Sequence, residues 1–166
     1  MDWYAVYTRS RHEQKANERL LEKKVETFLP LIERWSRRKD RRKRIHIPLF
    51  PGYLFVRTLL GAKNHLEILK TEGVVRILGN NENPIPIPNE QIHAIQSLIR
   101  NGVAIERHPY LKEGMRVRVV NGPLMGIEGI LLKTQTKKNR LVISVDLLRE
   151  SVSVEMDDQD IEPISV

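Results

Sequence analysis

"RIHIPLFPGYLFVRT", residues 44–58, follows directly on "ERWSRRKDRRK", residues 33–43. The first stretch sets Phe50, Tyr53 and Phe55 about a Pro-Gly pair, and the second carries the densest positive charge in the chain. "GYLFVRT" is rich in β-branched and aromatic residues and reads as a strand. Alternation along it sends Tyr53 and Phe55 to one sheet face and Leu54 and Val56 to the other. "WYAVYT", residues 3–8, reads as a second strand with Trp3 and Tyr7 opposite Tyr4 and Val6. Six of the nine aromatics therefore lie on two short stretches. A central strand buried on both sides gives the same run of apolar residues as a docking face does. Periodicity alone leaves both readings open.

The basic run narrows the choice of partners. Arg34, Arg37, Arg38, Lys39, Arg41, Arg42, Lys43 and Arg44 stand within eleven residues, opposed only by Asp40. Such density repels itself unless it is solvated or laid on an anion, so it suits phosphate contact. A second stripe, Arg11, Lys15, Arg19 and Lys23, recurs at helical spacing, although Glu13, Glu18 and Glu22 are near enough for ordinary surface pairing. The whole chain carries a net charge of +7 and a pI near 9.8, which favours polyanionic partners without bearing on the fold. No stretch resembles a homeodomain or zinc finger that reads base sequence.

Charge also divides the chain. Residues 1–107 hold 20 Lys and Arg against 12 Asp and Glu, whereas residues 108–166 hold 8 against 9. "NGVAIERHPYLKEG", residues 101–114, reads as a linker, which places the domains at 1–107 and 108–166. In the first, the two strands are joined by a helix over residues 10–24, whose Ser10 and Glu13 fit a capping box. A strand at 26–32, the basic run, a helix at 63–73, a strand at 74–78 and a helix at 88–102 complete an α+β sandwich. The second contains only strand signals, with Val152, Val154 and Met156 at period two, and reads as a small all-β barrel.

Catalysis finds no support in these residues. The five histidines, His12, His46, His65, His93 and His108, have no metal-ligand spacing, and no Gly-rich phosphate loop follows a strand. "EMDDQDIE" lacks the glycine and ligand order of a calcium loop. With no cysteine, disulfide and thiolate chemistry are excluded, and no run of apolar residues is long enough to span a membrane. The expectation is a cytoplasmic, monomeric, non-enzymatic protein without cofactor or metal.

Taken together, "WYAVYT", "PLFPGYLFV", "EGVVRILG" and "PIPIPNEQIHAI" resemble the amino-terminal domain of NusG-type transcription elongation factors. "GMRVRVVNGPLMGIEGIL" with "LVISVDLL" resembles their carboxy-terminal KOW domain, an SH3-like barrel, including Gly126 and Gly129. The likeness spans nearly the whole chain in the family's domain order, and is greatest to the specialised UpxY-like antitermination paralogues.

The resemblance implies roles for particular residues. Tyr7, Phe50, Pro51, Tyr53 and Phe55 would form an apolar surface for the clamp helices of RNA polymerase, with Asn64 and His65 across the cleft. Arg11, Lys15 and Arg19, with Arg37, Arg38, Arg41, Arg42, Lys43 and Arg44, would face non-template DNA or nascent RNA. Leu124, Ile127 and Leu148 stand where housekeeping members carry exposed aromatics for the Rho factor and a ribosomal protein, which implies weaker Rho binding. Lys137 and Lys138, with Lys133 and Arg140, could hold RNA, or simply form a solvated hairpin tip. The implied function is suppression of pausing or termination, with the KOW domain recruiting a further partner. A ribosome- or RNA-associated KOW protein acting in translation is the alternative.

Overall fold

Two apolar strands, β1 (Asp2–Thr8) and β5 (Tyr53–Thr58), run antiparallel at the centre of the first unit in the computed structural model, which describes residues 1–36, 43–80, 83–134 and 138–164. Their register pairs Tyr4 with Val56, Ala5 with Phe55, Val6 with Leu54 and Tyr7 with Tyr53. Strand β2 (Glu26–Phe28) flanks β5 and β6 (Val74–Ile77) flanks β1, giving the order β2-β5-β1-β6. Tyr4, Val6, Leu54, Val56 and Ile77 share one face. Against it pack Ala16 and Leu20 of α1 (Glu13–Glu22) and Ile68 of α2 (Ala62–Leu69), forming one buried cluster. Ala16 and Leu20 are four residues apart, so they lie on one helical face.

Two short ladders stand beside this sheet. Strands β3 (Leu31–Trp35) and β4 (Arg44–Pro48) form a hairpin whose base is closed by the Leu49 amide donating to the Pro30 carbonyl at 2.8 Å. Strands β7 (Gly79–Asn80) and β8 (Asn83–Pro84) pair over two residues each.

The chain separates into compact units at 1–88 and 89–166, ahead of the expected boundary at Arg107. Helix α3 (Asn89–Arg100) is the reason. It packs against a strand of the second unit, β12 (Asn139–Val145), while the Gln91 side chain donates to Asp146 Oδ2 and accepts from the Asp146 amide. The second compact unit is therefore not all-β. Its sheet has six antiparallel strands in the order β14-β10-β11-β12-β13-β9: β9 (Glu106–His108), β10 (Met115–Val119), β11 (Glu128–Leu132), β12, β13 (Glu150–Met156) and β14 (Ile161–Pro163).

The segment read as a linker is thus structured. Residues 106–108 form the edge strand β9 on β13, and the Leu111 amide donates to Ser151 Oγ at 3.0 Å. Ser144 Oγ donates to the Leu111 carbonyl and lies 2.6 Å from Ser151 Oγ. Along β13, Val152, Val154 and Met156 are buried at period two as expected, yet Ser151 and Ser153, which alternate with them, are buried as well. The polar alternates face covering protein, and their hydroxyls bond to Leu111, Ser144 and Arg140 instead of water.

Gly129 illustrates how tightly this sheet is built. A Cβ there would lie 2.5 Å from the Val142 carbonyl oxygen on the neighbouring strand and 2.9 Å from Leu141 Cδ1. Gly129→Ala is expected to destabilise the chain by roughly 1–3 kcal/mol through this overpacking, read as a lower denaturation midpoint. A fragment of residues 89–166 should also exceed one of residues 109–166 by at least about 2 kcal/mol, the order of one buried aliphatic side chain. Equal midpoints would show that α3 and β9 contribute nothing.

Candidate functional site

The opposite sheet face carries the aromatics. Phe50, Pro51, Gly52 and Tyr53 form a turn in which the Tyr53 amide donates to the Phe50 carbonyl at 3.0 Å and Gly52 adopts φ +87°. Proline at the second position and a positive-φ glycine at the third are the requirements of a type II turn. The turn folds onto β1: the Thr8 amide donates to the Gly52 carbonyl at 2.8 Å, and a Cβ on Gly52 would meet Tyr7 Cε2 at 3.3 Å. Any side chain at residue 52 would both strain the backbone and crowd the Tyr7 ring.

Glu13 holds the turn from the other side. Its buried carboxylate accepts from the Gly52 amide at 3.2 Å. The capping box expected with Ser10 does not form, because this carboxylate is spent on Gly52 and α1 begins after His12 without a side-chain cap. His12 Nδ1 instead lies 2.8 Å from the Ser10 carbonyl. Sequence reasoning assigned Glu13 to local capping and so missed its link to a turn thirty-nine residues away.

Within the face, burial sorts the residues. Phe28 stacks on Phe55 at 5.9 Å, Phe50 meets Phe55 edge-on at 6.1 Å, and Trp3 meets Phe28 edge-on at 6.4 Å. Phe50 is 1 % exposed and Phe55 0 %, so the structure corrects their expected place on the surface: they form its floor. Tyr7 is 36 % exposed, Pro51 is exposed and Tyr53 half-buried, with the two tyrosine rings 5.4 Å apart. Arg76, paired with Tyr7 across β6, sets its guanidinium 5.7 Å from the Tyr7 ring centroid. A register shift beside Tyr7 accompanies the exposure of Val75 on β6.

Asn64 donates to the Leu59 carbonyl at 2.7 Å and His65 is half-buried in α2, so Asn64 serves the loop that enters this helix. On α1, Lys15 pairs with Glu72 at 2.9 Å, and Arg19 pairs with Glu22 at 3.3 Å and Glu72 at 3.8 Å. The Lys15 hydrogen bond and charge hold the Glu72 carboxyl below its ordinary range. Lys23 reaches the Glu67 carbonyl and Thr71 Oγ1. The helical stripe is thus largely engaged, by acids from α2 and beyond more than by its own glutamates. Arg11 is exposed in the turn before α1, at φ +62°.

Arg37, Arg38, Arg41 and Arg42 lie outside the described residues, as does Lys137. Lys43 and Arg44 are exposed on the hairpin; Arg44 pairs with Glu33 at 3.3 Å and its guanidinium lies 5.1 Å from the Trp35 ring centroid. In the second unit, Leu124, Ile127 and Leu148 are all buried, a correction to their expected place on a partner-binding surface: the turn at residues 121–127 folds Leu124 and Ile127 inward and exposes Met125, while Leu148 closes a separate 3-10 turn, Asp146–Leu148. Lys138 pairs with Glu155 at 3.9 Å. Arg140 is held by Ser153 and by Glu106 at 3.3 Å, which removes it from the expected RNA-holding tip. Among the described residues no group of histidines and acids is arranged to hold a metal, and no helix is long and apolar enough to cross a membrane.

Comparison with known proteins gives this geometry a context. The family described as "Transcription termination factor nusG" matches residues 1–96. The transcription termination/antitermination protein NusG of Thermus thermophilus is 28% identical over 176 residues, covering 95% of each chain. Its namesake from Borreliella burgdorferi is 29% identical over 180 residues, covering 98% of each. A solved structure titled "Domain interaction in Thermotoga maritima NusG" superposes with a TM-score of 0.60 at 19% identity, covering 99% of this chain and 97% of that one, and so shares the fold. With more than half of its length matched, the chain belongs to the NusG family.

Proposed function

We propose that this protein is a transcription elongation and antitermination factor that binds RNA polymerase through the strip of Tyr7, Pro51 and half-buried Tyr53. The observation that carries this reading is the division of one aromatic face into a buried floor and an exposed rim. Phe28, Phe50 and Phe55 pack beneath the rim and fix its position. Rigid aromatics give large contact area at low entropy cost and recur as hot spots. The clamp helices of the polymerase are the docking site this family membership suggests, and Arg76 beside Tyr7 supplies a cation at the rim of the contact.

The mechanism is mechanical. A protein that bridges the polymerase cleft favours its closed state by its differential affinity for that state, and this coupling disfavours pausing and release. The basic hairpin meets the nucleic acid that emerges nearby. The protein acts as a monomer in the cytoplasm and carries out no catalysis. The second unit recruits a further protein, of which a ribosomal protein is one class, through Met125 and the turn bearing Lys138; with Leu124 and Ile127 buried, Rho binding is weak.

Tyr53→Ala should lower retention of RNA polymerase at least tenfold while shifting the denaturation midpoint by no more than about 1 kcal/mol, since hot-spot truncation costs roughly 2 kcal/mol of binding. Phe55→Ala should instead cost about 3–5 kcal/mol of stability. Retention unchanged in Tyr53→Ala would remove the strip from the polymerase interface. Replacing Arg37, Arg38, Arg41 and Arg42 by Gln should flatten the salt dependence of nucleic-acid binding by about 0.7–0.9 log-log units for each phosphate no longer neutralised. An unchanged slope would leave the run solvated and without a phosphate partner.

A further inference from the structure

The β3–β4 hairpin leaves a large aromatic where none is needed for packing. Its inner end is anchored by buried Ile32, but Trp35, three residues on, is 57 % exposed. Exposing an indole forfeits a large part of the burial that makes tryptophan a core residue. Trp35 is paired across the ladder with Arg44, whose guanidinium lies 5.1 Å from the ring centroid and is held from the side by Glu33 at 3.3 Å. The ladder runs one rung further, the Ser36 amide donating to the Lys43 carbonyl at 2.7 Å, so an exposed lysine follows immediately. Arg34 and Ile45, the neighbouring pair, point to the other face of the hairpin, both exposed.

Resting on the nucleic-acid reading above, we propose that Trp35 and the Arg44 guanidinium layered on it form a stacking platform for an unpaired nucleobase, so that the hairpin binds single-stranded nucleic acid in preference to duplex. Indole and guanidinium are both flat, and both stack on the π-face that every base presents. In a duplex those faces are already stacked on neighbouring pairs. The Glu33 contact tethers the guanidinium at one nitrogen before a base arrives, so less freedom is lost on binding. Exposed Lys43 and Arg34, each one residue along the chain from the platform pair, add positive charge beside it for the phosphates of a bound strand. The surface is rich in positive charge, which favours a strand of nucleic acid over an apolar protein partner.

The two tryptophans make the test direct, because Trp3 is only 5 % exposed. Oligothymidylate should quench the fluorescence of the full-length protein, and Trp35→Phe should remove the quench while keeping most of the affinity. Trp35→Ala should weaken binding roughly ten- to hundredfold without changing the salt slope, since stacking releases no counterions. An abasic strand with the same phosphates should bind as weakly to the wild type as oligothymidylate does to Trp35→Ala. Oligouridylate run beside oligothymidylate names the source: tighter binding of either strand supports the platform and identifies RNA or DNA as its ligand. Equal binding of abasic and thymidylate strands, or of duplex and single strands, would overturn it, as would Trp35→Ala that loses polymerase but keeps the oligonucleotide. Failure of the wild type to bind any nucleic acid would instead strike the broader reading, and polymerase retention, measured separately, would stand or fall on Tyr53.

Discussion

The pairing of β1 with β5 decides everything in the first unit. Six residue pairs from Asp2↔Thr58 to Tyr7↔Tyr53 hold it, and the period of a strand allows no partial error. A slip of β5 by one residue against β1 would turn Leu54 and Val56 away from the helices and Tyr53 and Phe55 towards them. The register is locked at one end by the Gly52 carbonyl on the Thr8 amide, and the turn that presents Gly52 is tied to α1 through Glu13. A helix, a turn and a strand are thereby fixed as a single piece. Tyr7 and Tyr53 inherit their position from that piece and need no loop to place them.

Much of this was legible in the sequence, for reasons that also explain what was not. Alternation in "WYAVYT" and "GYLFVRT" assigned each aromatic to the correct face, because side-chain direction in a strand follows from backbone geometry alone. Alternation does not say what lies above a face. Phe50 and Phe55 therefore read like Tyr53, although Phe28 and neighbouring rings enclose them and leave the tyrosines at the edge. The same blindness hid the burial of Leu124 and Ile127 on a turn whose Gly-Pro signal is plain. Residues 101–114 read as a linker because Gly102 and Pro109 punctuate them, yet a three-residue edge strand is too short to leave a periodic signal.

Glu13 and Trp35 were opaque for opposite reasons. Glu13 satisfied a local pattern so well that a long-range bond was invisible. Trp35 sat beside so much charge that its own chemistry went unread, and its exposure together with its cross-strand pairing with Arg44 separates it from an ordinary core tryptophan.

Glu72 gives the first helix a counterion of its own. A dissolved anion near Lys15 and Arg19 would diffuse away when a phosphate arrives, and its dispersal would favour binding. The Glu72 carboxylate is tethered 2.9 Å from one cation and 3.8 Å from the other, and once displaced it stays within the roughly 8–10 Å over which charges still feel each other in physiological salt. A phosphate that takes its place must then sit beside it and be repelled. The helix is in this sense insulated: its cations hold the fold's own acid, and the field available to a nucleic acid is concentrated where the chain has placed almost no carboxylates at all.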